Sequence, residues 1–155
     1  MRSDLFTLIF HVMILIFGGI AAVFDIKTRR IPNKLVLVML AAWILAVVPK
    51  LFLDIDAAVA HMVNSILGFL IGGGLFVLVY LLSRKGLGGG DVKFMAVSGL
   101  YIGFGGAIST IFIGSVLAAI TGGALILFKK IKRKDPIPLV PFLFAGILVT
   151  VLLQG

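Results

Sequence analysis

Long runs of apolar residues, separated by short polar stretches, dominate the pattern along the chain. The first run has twenty residues and would form a helix of about 30 Å, enough to cross the hydrocarbon core of a bilayer. The fourth run is short for a span and ends in a glycine-rich stretch at residues 103–106. The six runs are Leu5–Phe24, Leu35–Leu53, Ala57–Leu82, Val92–Ile102, Ala107–Phe128 and Ile137–Leu153. This pattern predicts a single all-α, polytopic membrane domain over residues 1–155, with about six transmembrane helices.

The composition supports a membrane location. Hydrophobic residues make up 61% of the 155 residues, and the mean hydropathy is +1.26. A water-soluble domain is only about half apolar, because its surface must be wetted. The net charge of +8 could suggest a nucleic-acid partner, but the basic residues cluster in short loops between apolar runs, as is typical of membrane topology. We therefore expect lipid around the protein and no nucleic-acid partner.

The lysines and arginines predict an orientation. The loops after the first, third and fifth runs hold twelve of the fourteen basic residues, counting Lys93 just inside the fourth run. Arg2 and Lys50 are the two that remain for the other side. The positive-inside rule assigns the basic loops to the cytoplasm. We therefore predict a multi-pass protein of the cell membrane with both termini outside.

The acidic residues restrict the chemistry. The sequence has no cysteine, which excludes disulfides, thiolate zinc sites and a cysteine nucleophile. Glutamate is also absent, and the six acids are Asp4, Asp25, Asp54, Asp56, Asp91 and Asp135. In the predicted topology, Asp25 ends the first helix and Asp91 begins the fourth, so both lie at the cytoplasmic boundary.

Asp25 and Asp91 occupy unusual positions. A carboxylate at a helix C-terminus opposes the helix dipole, at a cost of a few tenths to about 1 kcal/mol. Taken alone, Asp25 is more typical of a loop aspartate paired with a nearby cation. Asp91 follows three glycines, which are costly in backbone entropy and leave its carboxylate with little steric cover; an ordinary helix N-cap is the alternative. Two such carboxylates within hydrogen-bond reach would share one proton and could activate water against a peptide carbonyl.

Three ordered motifs resemble those of the type IV prepilin peptidases. The segment Gly88–Asp91 fits the Gly-x-Gly-Asp signature of intramembrane aspartic peptidases and is followed by Lys93. The segment Asp25–Asn33 is similar to the family's other catalytic segment, an aspartate followed by Ile-Pro-Asn. The segment Pro136–Leu143 resembles the proline-rich stretch that leads into its last helix. The resemblance implies Asp25 and Asp91 as the catalytic pair, and the supporting motif residues are Gly88, Gly90, Lys93, Pro32 and Asn33.

The resemblance also implies a function. Members of this family are membrane aspartic endopeptidases that cut the short basic leader from type IV pilin-like precursors at the cytoplasmic face, without a cofactor. Longer members carry an extra cytoplasmic portion, often with paired cysteines, linked to N-methylation of the trimmed pilin. This chain resembles the short, peptidase-only branch, so no methyltransferase activity is expected. Lys93 could tune the pair, bind an acidic residue of the precursor, or simply extend to the membrane surface.

A small ion- or proton-coupled transporter or channel is the alternative function, because acids inside a membrane often mark ion pathways. The acids lie at predicted helix ends, however, and none lies at mid-membrane. Asp54, Asp56 and His61 could suggest a metal site, but they are more typical of a wet outer loop with too few ligands. No metal is therefore expected.

Overall fold

The computed structural model describes residues 2–83, 87–132 and 137–154. Within these residues the protein has five helices and no strand, which confirms the all-α fold class. Four of the basic residues that predicted the orientation lie outside the described residues, namely Arg84, Lys85, Arg133 and Lys134. Asp135 and the first proline of the third motif, Pro136, also lie outside them. The helices are α1 (Arg2–Thr28), α2 (Asn33–Leu53), α3 (Ile55–Leu82), α4 (Gly89–Leu127) and α5 (Val140–Gln154).

Helices α1 to α4 are long and apolar enough to cross a membrane, with mean hydropathies of 2.1 to 2.4 in their candidate spans. Helix α5 is a shorter apolar helix of 15 residues. Large apolar side chains face outward, among them Leu45, Phe52 and Phe112 at 71%, 87% and 69% exposure. Such a surface suits lipid and would be an aggregation hazard in water. The structure therefore agrees with a polytopic membrane protein.

The described residues form five helices, whereas the sequence predicted about six. The fourth and fifth predicted runs, Val92–Ile102 and Ala107–Phe128, both belong to α4. The backbone leaves helical geometry inside α4 only at Gly103, with φ 70° and ψ −175°, a conformation essentially restricted to glycine. The boundary predicted between the fourth and fifth runs therefore coincides with a break in the helix, but the two segments join at Gly103 without a connecting loop and are counted here as one helix.

Contacts show that α4 reverses direction at Gly103. Before the break it runs antiparallel to α3, because Gly68 lies against Gly99 and Gly72 against Met95. After the break it runs antiparallel to α5. The contacts that show this join Gly106 to Gln154 and Gly122 to Ile137. Since Asp91 and Leu139 line the same cavity, the second half of α4 returns to the end of the bundle where α4 began.

Asn64 of α3 supports the break in α4. Its side-chain Oδ1 accepts a hydrogen bond from the backbone N–H of Phe104, at 3.1 Å. A break of this kind frees backbone groups that would be costly to leave unpaired in lipid. Asn64 therefore serves as a structural contact between helices, and a Cβ at Gly103 would overlap it.

The bundle has two distinct ends. The end that holds Asp25, Asp91 and Leu139 is called the motif end below. At the opposite end, His11 of α1 and Gln154 of α5 line one cavity. The start of α1 and the end of α5 therefore lie at the same end of the bundle, away from the motifs.

Glycines bring α3 and the first half of α4 into backbone contact. A Cβ at Gly68 would overlap the backbone of Gly99, and a Cβ at Gly99 would overlap the backbone of Gly68. One at Gly72 would lie 2.7 Å from the Met95 carbonyl oxygen. Small residues permit this close approach, which stabilises helix pairs in lipid. This contact between α3 and α4 fixes the position of Asp91 along the bundle axis, at the motif end.

Replacing Gly68 with valine should destabilise the protein, because the new side chain must push α3 away from α4. Overpacking of this kind costs about 1–3 kcal/mol. Gly123→Val is the matched control, since a Cβ at Gly123 meets no atom within 4 Å. Thermal unfolding in detergent should show a lower midpoint for Gly68→Val than for Gly123→Val. Equal midpoints would contradict the close contact.

Candidate active site

The three sequence motifs meet in one cavity of about 660 Å³ at the motif end. Asp25 and Asn33 of the first motif line it, and the second motif contributes the segment 87–91. The described part of the third motif contributes residues 137–139. Residues from the first, middle and last thirds of the chain therefore line the same cavity.

Asp25 lies in the last turn of α1 and is only 4% exposed. The Arg29 N–H donates to the Asp25 carbonyl oxygen at 2.8 Å and closes the helix. Arg29 itself has φ 52°, the left-handed conformation that commonly ends helices. Ala21 and Ala22, one turn earlier, are buried. The end of α1 is thus packed closely, and the Asp25 side chain is held inside the protein.

The first amide of α5 binds the Asp25 carboxylate. Asp25 Oδ2 accepts a hydrogen bond from the Val140 N–H at 3.0 Å. The first amides of a helix have no partner within the helix, and its N-terminus carries a partial positive charge that favours an anion. Helix α5 therefore offsets the unfavourable position of Asp25 at the C-terminus of α1. Sequence reasoning missed this contact, because the prolines at 138 and 141 mark a helix start without indicating which side chain faces it.

Asp91 lies in the first turn of α4 and is half-buried. Its N–H donates to the Gly88 carbonyl oxygen at 3.1 Å, and its Oδ2 accepts from the Gly88 N–H at 3.3 Å. This reciprocal pair caps the helix. Capping and a position in the cavity are therefore compatible for Asp91.

Asp25 and Asp91 are close enough to interact electrostatically. The Arg29 guanidinium, in contrast, attracts the Asp25 carboxylate. Two carboxylates and one cation thus meet in a cavity that is partly screened from solvent. Among the described residues, backbone amides engage Oδ2 of each aspartate, and neither Oδ1 makes a hydrogen bond.

The glycines of the second motif have separate roles. A Cβ at Gly90 would lie 3.2 Å from the Ile31 Cβ, so glycine lets the start of α4 pack against the first motif. A Cβ at Gly88 would lie 3.2 Å from Asp91 Oδ2. At Gly89 it would meet nothing within 4 Å. Gly88 and Gly90 therefore permit close packing, and Gly89 lies beside open space.

Lys93 joins the first two motifs. Its Nζ donates to Asn33 Oδ1 at 3.1 Å, although the residues are 60 positions apart. Asn33 begins α2, and Pro32 before it is extended, with φ −61° and ψ 131°. The Pro32 carbonyl accepts from the Leu35 N–H at 3.0 Å and starts the helix. The sequence did not predict this link.

The other polar residues considered from the sequence lie away from the cavity. Asp54 caps α3, because its Oδ1 accepts from the Ala57 N–H at 3.0 Å. His61 stacks on Phe10 of α1, with ring centroids 4.5 Å apart. Its assignment to an outer loop was wrong, since the helix α3 begins six residues earlier and the packing of α1 covers the ring. Within the part of the chain that the structure describes, no three metal-ligating side chains cluster.

Comparisons with known proteins agree with the motifs. The sequence model of the type IV leader peptidase family matches residues 12–123, which include both aspartates. Three curated relatives, each named prepilin leader peptidase/N-methyltransferase, come from Bacillus subtilis, Pseudomonas aeruginosa and Stutzerimonas stutzeri.

The relative from Bacillus subtilis is 28% identical over 143 residues, which cover 92% of this chain and 54% of the relative. The one from Pseudomonas aeruginosa is 30% identical over 134 residues, which cover 84% of this chain and 45% of the relative. The one from Stutzerimonas stutzeri is 29% identical over 136 residues, which cover 84% of this chain and 45% of the relative. The chain thus spans about half the length of these relatives. No solved structure matches it significantly.

Proposed function

The chain belongs to the type IV leader peptidase family, and from this premise we propose that it is a membrane aspartic endopeptidase whose catalytic pair is Asp25 and Asp91. One observation carries the proposal: both aspartates, which lie 66 positions apart in the sequence, line a single cavity together with all three motif segments. The proposed substrates are type IV pilin-like precursors. Their short basic leader would be removed at the cytoplasmic face of the cell membrane.

The proposed mechanism uses one proton shared between the two carboxyl groups. Two interacting carboxyl groups in one partly buried cavity do not both ionise readily, so one of them stays protonated. The ionised carboxylate takes a proton from water as the water oxygen bonds to the carbon of the scissile carbonyl. The protonated carboxyl donates a hydrogen bond to the carbonyl oxygen. The tetrahedral intermediate then loses the amine, which leaves with a proton from the pair.

Backbone contacts support these roles. The Val140 and Gly88 amides each engage Oδ2 of one aspartate. This leaves Oδ1 of each aspartate for the shared proton and the reacting water. Groups held by fixed helix ends need little reorganisation during the reaction, which favours catalysis. Arg29 would balance the remaining negative charge of the pair.

The transporter alternative has less support. Phe94, Met95 and Leu143 lie in the fully buried apolar core between the cavity and the opposite end. An ion pathway would need polar groups or water along that route. The polar groups of the motif end instead converge on one cavity.

We propose that the motif end faces the cytoplasm, as the distribution of basic residues indicates. Single cysteines can test this, because the natural chain has none. Cysteines at Arg30 and Lys132 should be shielded from an impermeant thiol reagent in intact cells. One at Asp54, an exposed residue next to the start of α3, should react. Labelling of Arg30 and Lys132 but not Asp54 would reverse the orientation.

The proposed activity is peptidase without N-methyltransferase, although the curated relatives bear both names. Support comes from the match to the leader peptidase family and from the absence of cysteine. The test co-expresses a pilin precursor with this chain in cells that lack their own prepilin peptidase. Mass spectrometry should find the leader removed and a free amino terminus. An uncut precursor would contradict the peptidase, and an added methyl group that depends on this chain would contradict the restriction to peptidase activity.

A further inference from the structure

A second cavity, of about 380 Å³, opens on the side of the bundle between α2, α3 and the first half of α4. We call it the side groove. Its lining is apolar apart from Lys93. Lining residues include Val36 of α2, Leu70, Gly74 and Val77 of α3, and Val92 and Lys93 of α4. Leu70 and Val77 are 58% and 44% exposed, so the groove is open to the surrounding lipid.

The side groove lies next to the catalytic cavity, and one hydrogen bond links their linings. Lys93 lines the groove, and its Nζ binds Asn33 Oδ1 at 3.1 Å. Asn33 in turn lines the cavity that holds Asp25 and Asp91. The groove therefore begins beside the Asn33 side of the catalytic cavity.

The dimensions of the side groove fit a short length of helix. Its α3 wall extends from Phe69 to Val77, about 12 Å along the helix axis, or roughly two helical turns. The centre of the α3 wall carries no side chains, because it consists of Gly73, which is buried against the Ala96 methyl group, and Gly74. A Cβ at Gly74 would meet no atom within 4 Å. A helix could therefore approach α3 closely, as small residues allow in lipid.

The charge of Lys93 specifies the helix further. Its hydrogen-bond partner is the neutral Asn33 amide, so the ammonium carries a charge that a covering helix would partly desolvate. A helix whose N-terminus lies at the motif end would bring its partial positive charge close to Lys93. An acidic side chain in the first turns of that helix would offset both the desolvation of the Lys93 ammonium and its repulsion by the helix N-terminus. The complementary partner is therefore an apolar helix with a carboxylate near its N-terminus.

We propose that the side groove binds the first two turns of an apolar helix that follows the scissile bond in a membrane-bound precursor. This inference rests on the proposed peptidase function. A helix pairs its own backbone N–H and C=O groups and can therefore remain in lipid. The scissile peptide bond, in contrast, must be extended and accessible to water. The groove keeps the helix in the membrane and delivers the segment before it to Asp25 and Asp91. The substrate then need not leave the bilayer to be cut.

A side chain placed in the groove tests the proposal. Gly74→Leu should lower kcat/KM for the membrane precursor about tenfold or more, mainly through KM, because the leucine occupies the helix position. Gly123→Leu is the matched control, since a Cβ there also meets no atom within 4 Å and lies outside the groove. It should cleave like the wild type. Normal kinetics for Gly74→Leu, with an active wild type, would overturn the groove and leave the peptidase proposal intact.

Crosslinking decides the question without catalysis. A photoreactive residue at Leu70 should form an adduct with the precursor in an Asp25→Asn background. The same residue at Phe112, which is 69% exposed on the second half of α4, should not. Adducts at Leu70 only with lipid, or only with a second copy of this chain, would assign the groove to those occupants and overturn the proposal. This readout stays valid if Gly74→Leu accumulates poorly.

Discussion

Asn at either Asp25 or Asp91 is expected to abolish leader cleavage while the protein still accumulates in the membrane. Asparagine keeps the size of the side chain but cannot hold or release the shared proton. Loss of a general acid or base lowers the rate by about 10²–10⁴-fold. A gel shift of a co-expressed pilin precursor measures the effect.

Asp54→Asn and Asp56→Asn are the matched controls for this result. Both positions lie at the start of α3, away from the motifs, and asparagine retains the capping function of Asp54. Both variants should cleave normally. Because catalytic groups act as a unit, the Asp25→Asn/Asp91→Asn double variant should be scarcely worse than either single variant. A double variant that loses far more activity would indicate that the two aspartates act independently.

Val140→Pro is expected to cause the next largest loss, because it removes the amide that donates to Asp25 Oδ2. Proline is well tolerated at the first position of a helix, so α5 should still form. A hydrogen bond to a charged group contributes about 1.5–3 kcal/mol, which corresponds to a loss of about 10- to 100-fold in kcat. Single-turnover cleavage of the precursor by the purified variant measures it.

Val140→Ala separates the hydrogen bond from packing. It keeps the backbone N–H but removes part of a fully buried side chain, so it should reduce stability while folded protein retains its activity. Similar turnover by Val140→Pro and the wild type would mean that the α5 amide does not position Asp25. Equal losses in both variants would assign the effect to packing.

Much of the fold could be predicted from the apolar pattern. Runs of about twenty apolar residues predict helices, because in lipid every backbone N–H and C=O group must be hydrogen-bonded within the segment. Helices α1, α2 and α3 appear where the first three runs predicted them. The boundary predicted between the fourth and fifth runs lies beside Gly103, where α4 breaks. The sequence did not indicate that the two halves are joined directly at a single glycine. Hydropathy does not distinguish a loop from a single residue with positive φ that reverses the helix.

The site was predictable in part. The cavity is lined by residues of the three motif segments. These segments were recognisable because each is a short run of neighbouring residues, such as the glycines that precede Asp91. The contacts between motifs were not predictable. Val140 binds Asp25 across 115 positions, and Lys93 binds Asn33 across 60. Such pairs depend on how each helix is rotated and packed, which one sequence does not encode in any local pattern.

The purified chain in lipid vesicles, mixed with a pilin precursor, provides the most direct test of the proposed catalytic pair. Mass spectrometry of the products would record leader release by the wild type, the Asp25→Asn and Asp91→Asn variants, and their double variant. We expect the wild type to cut one bond, at the end of the leader, and none of the three variants to release leader above background. Full processing by any of them at a matched protein level would contradict Asp25 and Asp91 as the catalytic pair.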